Sequence, residues 1–103
     1  MNPVKKVKAY LMFREAVIKA NAAHAKNGSR YYVVPSSDGK LIVLNRDDLK
    51  RLRMKHYTSH KTTTHDLLSS CFYHTSHANG TGAMSDEVAE ARRQAFFEWF
   101  DSL

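Results

Sequence analysis

Apolar residues along this chain follow two different periods, and the changes of period mark the elements. Residues 3–26 carry Tyr10, Phe13, Val17, Ala20 and His24 at helical spacing, with Val4, Val7, Leu11, Ile18, Ala22 and Ala25 as an adjoining stripe. One long helix is expected there. Asn2 stands as an N-cap ahead of proline at the first helical position, and Asn27-Gly28 supplies a stop. The arc is broad enough to cover a sheet and still leave surface for a second copy of the chain, so a homodimer is expected through this helix.

The period then changes. Tyr31 to Val34 and Leu41 to Leu44 are runs of β-branched, aromatic and aliphatic residues, and Pro35-Ser36-Ser37-Asp38-Gly39 between them has the composition of a turn. Gly39 is free to take a positive φ. This is a hairpin. Neither strand alternates apolar with polar, so both of its faces need cover from other elements.

Asn45 begins the next element as an N-cap, with Asp48 placed to complete a capping box and Leu44 able to staple to Leu49. A helix over residues 46–55 follows, with Leu49, Leu52 and His56 on its inner side. Its outer side carries Arg46, Lys50 and Arg53 on one line and Arg51 with Lys55 on another. Residues 56–64 are polar and read as a loop, closed by a short helical turn that Thr64 starts and that carries Leu67 and Leu68. Cys71 to Thr75 then reads as a third strand beside the hairpin. After a loop over residues 76–83, Ser85 with Asp86 and Glu87 opens the last helix. Val88, Ala91, Ala95, Trp99 and Phe100 fall on one side of it, and Phe96 and Phe97 widen that side. The expected fold class is α+β, with a long N-terminal helix, an antiparallel sheet of two or three strands, a short basic helix and an aromatic C-terminal helix.

Composition narrows the class without changing the elements. With 103 residues and 43% hydrophobic content, the chain suffices for one domain around one modest core. The apolar run Tyr10 to Phe13 is ended by Arg14 and Glu15, too short for a signal-peptide core or a membrane span. A cytoplasmic protein is expected. Cys71 is the single cysteine, so no disulfide forms within the chain.

Charge is more informative. Residues 1–61 hold 14 Lys and Arg against four acids, while residues 62–103 hold two against six. One end of the chain is therefore strongly basic and the other acidic. Lys5, Lys6 and Lys8 stand in the first turns of the first helix, where positive charge opposes the helix dipole. With the free N–H groups of that helix start, they can hold a phosphate. The helix over 46–55 adds five more cations. The expected partner is nucleic acid, bound through charge at Lys5, Lys6, Lys8, Arg46, Lys50, Arg51, Arg53 and Lys55. The alternative is a protein-interaction or homo-oligomeric module that uses the leftover apolar arc, in a plain or a zinc-stabilised form.

Two further sets of residues bear on chemistry. His56-x3-His60 followed by Cys71-x2-His74 has a loose version of zinc-ligand pairing, but one cysteine and a strand that would turn Cys71 and His74 to opposite faces weigh against it. No metal or cofactor is required by the hydrophobic pattern. Cys71 lies in a stretch that reads as core rather than as an electropositive, partly exposed nucleophile site. The acids gather at helix starts and form no spaced pair for acid/base work, so a non-enzymatic protein is expected.

Overall fold

A computed structural model describes residues 1–55 and 63–103. It contains helix α1 (Pro3–Asn27), strands β1 (Tyr32–Pro35) and β2 (Leu41–Leu44), and helices α2 (Arg46–Met54) and α3 (Thr64–Ser70). Strand β3 (Tyr73–His74) and helix α4 (Asp86–Asp101) complete it. The three strands form one antiparallel sheet in the order β2-β1-β3, and the class is α+β.

Local signals account for most boundaries. Asn2 caps α1 through its side chain, which accepts from the Lys5 N–H at 2.7 Å, and Gly28 ends it at φ 79°, where any side chain would be strained. The capping box at Asn45 and Asp48 is present. A second one, which the sequence reading did not include, joins Thr63 and Asp66 at the start of α3.

Both faces of the hairpin are covered. Tyr32, Val34 and Leu44 point to one side, where they meet Leu49 of α2, Leu67 of α3 and Cys71. Tyr31, Val33 and Val43 point to the other side, where they meet Ala16 and Ala20 of α1. The register explains this division, because Tyr32 pairs with Leu44 and Val33 with Val43, and cross-strand partners share a face. The result is three layers, with α1 below the sheet, α2 and α3 above it, and α4 joining α1 beside β3.

Three expectations about facing are corrected by the packing. In α1 the buried residues are Ala9, Ala16 and Ala20, with Met12, Phe13 and Ala23 beside them, whereas Tyr10 and Leu11 stay exposed. Methyl side chains let the helix axis come close to the sheet, which is how Val33 is fully shielded. In α4 the inward residues are Phe96 and Phe100, while Val88, Ala91 and Ala95 face outward. Phe96 decides that rotation: it is fully buried and lies 5.1 to 6.1 Å, centre to centre, from the rings of Phe13, Phe72, Phe97, Trp99 and Phe100. Finally, β3 spans two residues rather than five, because Cys71 caps α3 and precedes the strand. Cys71 and the strand partner of Tyr32, His74, therefore lie on the same side of the sheet.

Two cations tie helices together. The Lys5 ammonium donates to the Asp101 carbonyl at 3.0 Å, at the negative end of α4, and lies over the Phe100 ring. Arg92 of α4 donates to the Ser69 and Cys71 carbonyls at 3.1 and 2.7 Å, satisfying the end of α3.

Candidate nucleic-acid interface

Helix α2 is short and strongly two-sided, and its orientation is set at both its start and its inner face. The Asn45 Oδ1 accepts from the Asp48 N–H at 2.8 Å, and the Asp48 carboxylate accepts from the Asn45 N–H at 3.0 Å. Asn45 is itself buried and its Nδ2 donates to the Tyr31 hydroxyl at 3.2 Å, which fixes the helix start to the residue that leads into β1. Leu49 is buried and Leu52 packs beside it, so the helix cannot roll without exposing them.

That anchoring decides where the cations go. Arg46, Lys50, Arg51 and Lys55 are exposed, and Arg53 is half-buried. Arg51 pairs with Asp48 one turn away, and such an exposed pair contributes little to folding. Arg46, at the first helical position, opposes the dipole, and Asp47 and Asp48 beside it offset that cost.

Next to this helix start lies a cleft of about 370 Å³. Ser29 and Arg30 reach it from the turn after α1, Arg46 from α2, Thr64 from α3 and His77 from the loop after β3. Arg30 donates from Nη2 to the Gly82 carbonyl at 2.5 Å. Its Nε is buried and has no hydrogen-bond partner among the described residues. Arg30 was missed from sequence because it stands alone between a turn and a strand, outside any run of cations; three other segments meet its own at the cleft.

The lysines of α1 do not join this surface. Lys5 is occupied at the end of α4, Lys6 borders a groove between α1 and α4, and Lys8 is exposed. Because α1 and α2 pack on opposite faces of the sheet, the two basic groups lie on opposite sides of it.

The metal candidates divide as well. His56 and His60 lie outside the described residues. Among the described residues no three His, Cys, Asp or Glu side chains gather closely enough to hold a metal ion. Burial pushes the Cys71 thiol up from its ordinary pKa, against the opposing pull of Arg92, and its Sγ donates to the Leu68 carbonyl at 3.4 Å. Burial pushes His74 down, against a hydrogen bond from its Nδ1 to the Thr75 carbonyl at 2.9 Å, and Arg30, Arg92 and His77 add to the depression. A protonated thiol held in the core is a poor nucleophile.

The fold and this surface define a small layered α+β protein with one rigid basic helix. Among the described residues no helix is long and apolar enough to cross a membrane. No protein-family model, curated protein or solved structure matches the chain.

Proposed function

We propose that the protein is a small non-enzymatic module that binds nucleic acid through charge, using the outer face of α2 and the cleft at its start. The observation that carries this reading is that Arg46, Lys50, Arg51 and Lys55 are exposed together on a helix whose start and inner face are fixed. A fixed helix confines the ordering cost of binding to the side chains themselves, since its backbone is already in place when a phosphate backbone settles on it. Arg30 and Arg46 line the cleft at the start of α2 and add positive charge beside the exposed cations. Contact through charge implies little preference for base sequence.

Salt dependence tests the reading. Three or four phosphate contacts on duplex DNA give a log-log slope of about −3 to −4, a loss of roughly 40- to 150-fold in affinity between about 50 and 200 mM salt. Fluorescence anisotropy with mixed-sequence duplex and single-stranded probes measures it. Replacing Lys50 and Lys55 with alanine removes two contacts and flattens the slope by about 1.8. Absence of any complex at the lowest salt, with the protein folded, overturns the proposal, since that condition favours electrostatic binding most.

A further inference from the structure

Helix α1 carries two seven-residue repeats on opposed faces. Ala9, Ala16 and Ala23 turn toward the core, Ala9 against the rings of α4 and the other two against the sheet. Val4, Leu11 and Ile18 turn outward, with Val7 between the first two, and they are 80%, 46%, 55% and 59% exposed, respectively, Val7 last. The second repeat starts five residues from the first, which places it about 140° around the helix. A seven-residue spacing drifts by only about 20° per repeat, so the aliphatic residues stay in line for roughly 21 Å along the axis. Tyr10 lies beside this line, and together with Val7 it continues into the groove of about 720 Å³ whose other wall, on α4, is Phe97 among the polar Arg93, Gln94, Glu98 and Asp101. A line of large aliphatic side chains on the helix thus faces away from its own core.

We infer that this face is a dimer interface and that its occupant is a second copy of the chain, with the two α1 helices antiparallel. One self-complementary charge pair, on an otherwise cationic helix, fits a second copy and sets the direction. Lys8 and Glu15 stand seven residues apart on the same edge of the aliphatic line, one positive and one negative. A second α1 laid antiparallel, crossing near Leu11, brings Lys8 of each copy beside Glu15 of the other and lays Val4 and Val7 along Ile18. A parallel arrangement sets Arg14 against Arg14 in the seam and gathers Lys5, Lys6 and Lys8 of both copies at one end. The antiparallel pair separates those lysines to opposite ends and opposes the two helix dipoles favourably. Both contacts occur twice by the two-fold symmetry. Because α2 lies on the far side of the sheet, this association leaves the basic helix of each copy uncovered, and it stands or falls independently of nucleic-acid binding.

Sedimentation equilibrium and light scattering on the full chain over about 1 to 500 µM test the inference. A dimer mass is expected, with Leu11→Glu and Ile18→Glu each weakening association by ~100-fold or more, because every dimer loses two buried aliphatic side chains and gains two buried charges. Circular dichroism reports whether those variants are folded. The charge pair supplies a second measurement that leaves the core untouched. Lys8→Glu and Glu15→Lys should each weaken self-association by ~10-fold, and the two variants mixed should form a heterodimer tighter than either homodimer, since mixing restores opposite charges at both contacts. A monomer throughout the range overturns the inference. So does a dimer indifferent to the substitutions at positions 11 and 18, or one whose mixed charge variants pair no better than each with itself.

Discussion

Replacing Asn45 with alanine should cost about 2 kcal/mol of stability. Its side chain has two jobs: Oδ1 caps α2 by accepting from the Asp48 N–H, and Nδ2 donates to the Tyr31 hydroxyl, which also accepts from Asn27 at the end of α1. Loss of an N-cap costs about 1 kcal/mol, and loss of a side-chain hydrogen bond in a buried setting costs about 1 more. For a domain of this size the sum lowers the melting temperature by roughly 8 to 16 °C. Asn45→Ser separates the jobs, since a serine hydroxyl can cap the helix but is too short to reach Tyr31, so about half the cost should return. In the parent, Tyr31→Phe removes the acceptor for both asparagines. In the Asn45→Ser background the same change should cost about 1 kcal/mol less, because one of those bonds is already gone. Urea unfolding followed by circular dichroism measures the parent and all four variants. An Asn45→Ala variant within about 0.5 kcal/mol of the parent, the range of ordinary surface changes, would falsify the argument. Strict additivity of Asn45→Ser and Tyr31→Phe would remove its second half.

Phe96→Ala should cost about 3 to 5 kcal/mol, a large share of a typical domain's stability, because the residue is fully buried among five rings; an unfolding midpoint unchanged in urea would contradict that packing. His74 should give the protein an acid-sensitive limb. Its folded-state pKa lies below its ordinary value of 6.5, so the unfolded chain takes up the proton first and stability falls as pH drops below about 6.5, levelling off once pH passes the folded-state pKa. His74→Gln should flatten that limb, which melts between pH 7 and pH 5 would reveal. Cys71 should react with a thiol reagent far more slowly in the native protein than in urea, since it is buried and held in its protonated form; equal rates would show that α3 does not cover it.

What was legible in the sequence is what depends on neighbours within a few residues. Asn2 with Pro3, Gly28, Asn45 with Asp48, and Ser85 each act through a hydrogen bond or a backbone angle inside one helical turn, and the corresponding helices start or stop there. The hairpin likewise follows from two apolar runs and the turn between them, closed by Gly39 at φ 81°. Arg46, Lys50 and Arg51 of α2 face outward as expected because its apolar residues, Leu49 and Leu52, occupy one narrow side, whereas Arg53, at the border of that side, is half-buried.

Facing was decided by the tertiary structure wherever the apolar pattern was broad. In α1 nearly the whole circumference offers apolar residues, so periodicity could not rank alanine against valine or isoleucine. The sheet ranked them, because only the alanine side allows the close approach that buries Val33. The same ambiguity in α4 was resolved by ring packing around Phe96, and the separation of Lys6 and Lys8 from α2 arose because the helices took opposite faces of one sheet. Arg30 became visible as part of a site through the convergence of segments distant in the chain. Caps and turns close within a few residues and can be read from a short window, whereas the choice of a buried face compares all the surfaces that the folded chain offers at once.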